Sequence, residues 1–119
     1  MDLITGGAFQ GKLDYARAAF GLADSDICLC TADSAPDAGC RCWVHYEQYV
    51  LGCLRRGERP CGPERADAVV IADDIFCGVV PLEAEIRLWR EETGRALTAL
   101  AREADTVTRI FCGLPMRLK

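Results

Sequence analysis

The residues with the clearest chemical potential lie near the start of the chain, where Gly6-Gly7-Ala8-Phe9-Gln10-Gly11-Lys12-Leu13 follows the apolar Leu3 and Ile4. Gly6, Gly11 and Lys12 keep the spacing of G-x-x-x-x-G-K-[ST]. In that loop the glycines let backbone N–H groups turn toward phosphate oxygens while the lysine reaches the outer phosphates. The hydroxyl that closes the motif holds Mg²⁺, and Leu13 stands in its place. Residues 6–13 are the expected nucleotide-binding segment, with Lys12 as its catalytic cation. A backbone cradle at a helix N-terminus does not depend on the side chain at position 13, so phosphate affinity is expected to survive. Phosphoryl transfer leans on metal and cations in the transition state, and is expected to be reduced or lost.

A second group, Asp73-Asp74, ends the apolar run Ala68-Val69-Val70-Ile71-Ala72. That is the pattern of a buried parallel strand with carboxylates at its C-terminal end, where open α/β sheets gather ligands. Asp73 and Asp74 are the candidate Mg²⁺ ligands, and Asp74 is also a candidate base toward a substrate hydroxyl. Acidic residues in such places serve equally as turn and cap groups. His45 is the one histidine; within Trp43-Val44-His45-Tyr46-Glu47 it reads as part of a packing helix, with a nucleophilic role as the alternative. Of the eight cysteines, Cys28/Cys30 and Cys40/Cys42 form C-x-C pairs. Four thiolates would suit Zn²⁺, yet structural zinc sites use C-x₂₋₄-C spacing. Cys28 and Cys30 also lie in an apolar run, where thiols act as small hydrophobes. Unligated thiols are the expectation, and a thiol-rich metal module is the alternative.

These groups need a scaffold that brings residues 12, 45 and 73–74 to one place. Residues 2–5 read as a short buried strand and residues 11–23 as a helix with Tyr15, Ala16, Ala19, Phe20 and Ala23 near one face. Residues 27–31 read as a second strand and residues 32–39 as a loop. Residues 43–56 fit an amphipathic helix carrying Trp43, Val44, Val50, Leu51 and Leu54, and residues 57–65 a connector. After the strand at 68–72, residues 81–104 form the longest helix, with Ile86, Trp89, Thr93, Leu97, Leu100 and Ala104 along one face and Glu91 four residues before Arg95. Residues 106–112 read as a last strand, broken by Gly113-Leu114-Pro115. Alternating strands and helices imply a three-layer α/β domain of the P-loop type, its mostly parallel sheet flanked by helices.

A length of 119 residues suits one domain. Against 18 acidic residues the 14 lysines and arginines leave a net charge of −4 and no basic stripe, which argues against nucleic acid as partner. No apolar run is long enough for a membrane span, and the start lacks a basic segment followed by an apolar one, so a cytoplasmic protein is expected.

Two separated regions share a recognisable pattern. The first is Leu3-Ile4-Thr5-Gly6-Gly7-Ala8-Phe9-Gln10-Gly11-Lys12. The second joins Asp73-Asp74-Ile75-Phe76-Cys77-Gly78-Val79-Val80-Pro81 to Gly94-Arg95, Ala104-Asp105 and Gly113-Leu114-Pro115. Together they resemble the bifunctional adenosylcobinamide kinase/adenosylcobinamide-phosphate guanylyltransferase family of cobalamin biosynthesis. Members of that family place Asn-Glu-Val-Gly-x-Gly-[IV]-Val-Pro after a buried strand, then Gly-Arg on a helix, Ala-Asp before the last strand, and a Gly-[IL]-Pro ending. The resemblance spans residues 1–34 and 67–119. It implies ATP or GTP with Mg²⁺, a corrinoid substrate, kinase and nucleotidyltransferase chemistry, and homo-oligomers. It also implies a histidine that takes up GMP, for which His45 is the candidate.

Departures accompany the matches. The family reads Arg-Ser-Gly-Lys-Ser where this chain has Phe9-Gln10-Gly11-Lys12-Leu13, which removes a cation and the Mg²⁺ ligand. Asp73-Asp74 replaces Asn-Glu, and Leu97-Thr98 replaces the Asn-Gln after Gly-Arg. The family's middle segment, between the second strand and the helix before Asp73, carries the histidine with arginine and tryptophan landmarks. Residues 1–119 are therefore expected to be one P-loop-like domain lacking that segment.

Overall fold

In the computed structural model, which describes residues 1–119, the chain runs β1 (Asp2–Gly6), α1 (Lys12–Phe20), a 3-10 turn (Asp24–Asp26), β2 (Ile27–Leu29), β3 (Cys42–Val44), α2 (Tyr46–Arg56), β4 (Val69–Asp73), α3 (Ala84–Glu103), β5 (Thr106–Phe111) and β6 (Leu114–Arg117). The strands form one sheet in the order β2-β3-β4-β1-β5-β6. All neighbours are parallel except β5 and β6, which pair antiparallel. Helix α1 packs with Ile4, Cys42, Val44, Val69, Ile71 and Ile110 on one face of the sheet. On the other face α2 and α3 enclose Leu3, Trp43, Val70, Ala72 and Val107 with Tyr49, Val50, Leu97 and Leu100. The expected three-layer α/β architecture of the P-loop type is therefore present.

Burial on both faces explains why β4 reads as an unbroken apolar run: Val69, Val70, Ile71 and Ala72 are each at most 2% exposed. Residues alternate across a strand. Val69, Ile71 and Asp73 thus face α1, whereas Val70, Ala72 and the following Asp74 face α3. Register brings the C-terminal strand ends together, with Gly6 beside Asp73 and Val44 beside Ile71.

Two expectations about elements are corrected. Trp43 and Val44 do not begin a helix; they belong to β3, hydrogen-bonded between β2 and β4. Three residues are too few for strand periodicity to show, and the α2 pattern that follows masks them. Gly113-Leu114-Pro115 does not end the structure either. Cys112 (φ 51°) and Gly113 (φ 75°) are both left-handed, which suits a two-residue hairpin turn, and Phe111 pairs with Leu114 across it. Pro115 is tolerated because β6 is an edge strand. Helix α1 ends earlier than expected, at Gly21 in the left-handed conformation (φ 61°). On α3, Thr93, Leu97 and Leu100, with Ala104 just after its end, are buried as anticipated, whereas Ile86 in its first turn is exposed, and Arg95 pairs with Glu91 at 2.5 Å.

All eight cysteines are free. Burial pushes the thiols of Cys30 and Cys42 up to about 12, so these two behave as packing groups at neutral pH.

The close approach of β1 to β5 depends on Gly6, since a Cβ there would stand 2.4 Å from the Ile110 carbonyl oxygen, at a φ of 150°. Gly6→Ala should lower the unfolding free energy by about 1–3 kcal/mol, the cost of overpacking a tight interior. Urea unfolding followed by circular dichroism checks this; an unchanged midpoint would contradict it.

Candidate phosphate-binding loop and carboxylate site

The loop between β1 and α1 ties down the carbonyls at its two ends and frees its amides. The Gly6 carbonyl accepts the Asp74 N–H (2.9 Å), that of Gln10 accepts the Gly113 N–H (2.9 Å), and that of Gly11 accepts the Tyr15 N–H (3.0 Å). Lys12 Nζ donates to the Gly7 carbonyl at 2.6 Å. The Gln10 side chain adds a further tie, its Oε1 accepting the Cys112 N–H at 2.6 Å. By contrast, no backbone N–H of residues 7–14 makes a hydrogen bond of good geometry to a protein acceptor. Gly11 (φ 87°) permits the reversal into α1, and Phe9 holds φ 58° with its ring fully exposed. A bulky residue at such a φ is strained, as loops that clamp ligands often are.

Residues 8–14 line a cavity of about 310 Å³, closed on its far side by Leu29, Val44, His45, Ile71 and Asp73. Lys12 is 7% exposed and also bonds Asp73 Oδ1 at 2.7 Å. It spans the base of the loop and anchors it to β4, so a phosphate entering here shares the ammonium with Asp73. The other ionised residue on the cavity wall is Asp14, in the first turn of α1. Leu13 supplies no polar atom, as its identity dictates.

His45 lies outside the helix assigned to it from sequence. It sits between β3 and α2 in the left-handed conformation (φ 60°), at the same C-terminal end of the parallel strands as the loop. Its Nδ1 is 3.3 Å from Glu47 Oε1 and 4.0 Å from Asp73 Oδ2. Glu47 is 2% exposed, and its Oε2 accepts the Asp73 N–H at 3.0 Å. Burial raises the Glu47 carboxyl above its ordinary 4.5, against the lowering effect of that amide bond. Trp89 Nε1 donates to the Glu47 carbonyl at 2.7 Å, tying the start of α2 to α3.

Asp74 is turned to the opposite face. Its Oδ1 accepts the Thr5 hydroxyl at 2.5 Å, and Arg109 approaches Oδ2 at 3.4 Å. With Phe76, Cys77, Leu97, Thr98 and others these residues line a second cavity of about 420 Å³. Of the expected site residues the structure therefore unites Ala8–Leu13, His45 and Asp73 around one cavity, leaves Gly6 and Gly7 behind its wall, and sets Asp74 apart. Strand alternation had already forbidden two consecutive aspartates from facing one ion on the same side.

Sequence reasoning missed Glu47 and Arg109. A charged residue on the apolar side of α2, two positions after His45, was the available signal for Glu47; for Arg109 there was none. Cys28 and Cys40 of the C-x-C pairs lie within hydrogen-bond reach of each other, but no three of the four thiols gather as one ligand set. The grouping of three or more ligand-bearing side chains with donor atoms within 4.8 Å of one another is His45, Glu47 and Asp73.

Because the folded state favours protonated Glu47, its contribution to stability is full below the unfolded value and is lost as pH rises through the folded one. In metal-free buffer, Glu47→Gln should gain stability relative to the native chain as pH is raised from 4.5, as read by urea unfolding. A difference that is flat with pH would contradict the assignment.

None of the curated proteins matches the chain. A family model described as cobinamide kinase / cobinamide phosphate guanyltransferase matches residues 50–118, which takes in most of α2, β4, α3, β5 and β6 and stops short of the loop. That match covers more than half of the chain and agrees with the fold, and on it the protein belongs to the cobinamide kinase / cobinamide phosphate guanyltransferase family.

Proposed function

We propose that the protein binds a nucleoside triphosphate, ATP or GTP, between the β1–α1 loop and the ends of β3 and β4. It would act in cobalamin biosynthesis as a kinase or nucleotidyltransferase of reduced transfer capacity. The observation that carries this reading is the uninterrupted set of unengaged amides from residue 7 to residue 14, gathered around Lys12. Unpaired N–H groups at a helix N-terminus form an anion site without help from side chains.

Asp73 faces the nucleotide cavity and is the carboxylate proposed to meet nucleotide-borne Mg²⁺, which would offset charge on the phosphates. Leu13 adds no ligand, and Asp74 faces the other cavity. Asp74 is proposed as the base toward an acceptor hydroxyl, oriented by Thr5 and Arg109, with a corrinoid entering from the α3 side. Weak transfer follows from the missing hydroxyl and from the single lysine, since charge in a phosphoryl-transfer transition state is offset chiefly by metal and cations. His45 as GMP acceptor is the alternative role for that side chain.

Further parts of the proposal come from the family resemblance. The short span from β2 to β4 would be a reduced form of the family's middle segment. Self-association would use the edge strand β6, where Leu114 and Met116 are exposed beside Phe111 at the end of β5. No helix is long and apolar enough to cross a membrane, and a cytoplasmic location is proposed with the rest.

Calorimetric titration with ATP and GTP, with and without Mg²⁺, tests the reading. Saturable binding is expected, weakened about tenfold or more by Lys12→Ala through loss of a charge-assisted hydrogen bond. Transfer to adenosylcobinamide should be slow and should rise in Leu13→Ser. Absence of binding to either nucleotide would contradict the proposal.

A further inference from the structure

We infer that His45, Glu47 and Asp73 form a site for a resident divalent ion of the first transition row, of the Zn²⁺ class, beside the phosphate loop. Their donor atoms lie within 4.8 Å of one another, with His45 Nδ1 3.3 Å from Glu47 Oε1 and 4.0 Å from Asp73 Oδ2. Bonds of about 2.1 Å in tetrahedral geometry set ligand atoms about 3.4 Å apart. A small swing of the half-exposed His45 ring would close the set around an ion.

The surrounding contacts are those that orient metal ligands. Each carboxylate uses one oxygen for the protein and leaves the other toward the imidazole: Glu47 Oε2 takes the Asp73 N–H and Asp73 Oδ1 takes Lys12. Such outer contacts fix ligand direction. Glu47 is buried with no lysine or arginine within ion-pair distance, its one such partner being His45, and a buried carboxylate calls for a cation. His45 is held off the helix by a left-handed φ of 60°, an unusual conformation for histidine that keeps the ring at the strand ends.

One imidazole with two carboxylates suits Zn²⁺, Co²⁺ or Mn²⁺ better than Mg²⁺ or Ca²⁺, which favour all-oxygen shells. The metal site stands by itself. Where the loop holds a polyphosphate, which rests on the function proposed above, a phosphate oxygen would complete the shell and the ion would take over the task that Leu13 cannot perform.

The test uses the full chain with Zn²⁺ or Co²⁺ alone. Equilibrium dialysis should show a single ion bound per chain, and the Co²⁺ form should show visible ligand-field bands without thiolate charge transfer. Zn²⁺ should raise the thermal midpoint. Asparagine tolerates left-handed backbone, so His45→Asn should fold as the native chain does yet, having lost a direct ligand, bind more weakly by at least the roughly 10–100-fold seen when only supporting contacts are lost. A Cys28→Ser/Cys40→Ser variant should bind as the native chain does. Undiminished binding by His45→Asn, a thiolate band, or no binding by the native chain would overturn the inference. ATP and GTP affinity measured in chelator reports on the loop separately, so failure of one reading is distinguishable from failure of the other.

Discussion

The structure turns on an asymmetry in one loop: the carbonyls at its two ends are held by the protein and its amides are not. Gly6, Gly7, Gln10 and Gly11 each give their carbonyl oxygen to a protein donor, drawn respectively from the residue after β4, the Lys12 side chain, the β5–β6 turn and α1. The amides that follow one another from residue 7 to residue 14 receive nothing in return. Unpaired backbone donors are costly where water is excluded. An anion would satisfy several together.

Maintaining that arrangement constrains distant parts of the chain. The Gly6 backbone must pass close to Ile110, which only a residue without Cβ can do. The β5–β6 hairpin must turn where Cys112 and Gly113 can meet Gln10. Asp73 must end β4 facing α1 to hold Lys12. The same alternation that places Asp73 there sends Asp74 to Thr5 and Arg109, so adjacent aspartates serve two cavities. Lys12 alone cannot balance Asp14, Asp73 and an incoming polyphosphate, which is the electrostatic reason a cation near Asp73 matters.

Much of this was legible in the residues. The apolar run before Asp73 announced a central strand, the Gly6–Lys12 spacing announced the turn into α1, and the periodicity of α3 was read almost to its ends. Three features were hidden for different reasons. β3 has only the three residues Cys42–Val44, too few to show a period before the α2 pattern begins. The final hairpin depends on a left-handed Cys112, a residue with no special preference for that conformation. The convergence of His45, Glu47 and Asp73 is a matter of register between β3 and β4, which sequence spacing does not report. Glu47 in particular gains its place from burial against the Asp73 amide, a contact across 26 positions.

The most direct measurement is a ¹⁵N–¹H correlation spectrum recorded while inorganic tripolyphosphate is added in the presence of chelator. The account predicts saturable shifts concentrated in the amides of residues 7–14, with those of β6 little changed. Amides of residues 7–14 that stay in place while the anion binds elsewhere, or fails to bind, would contradict it.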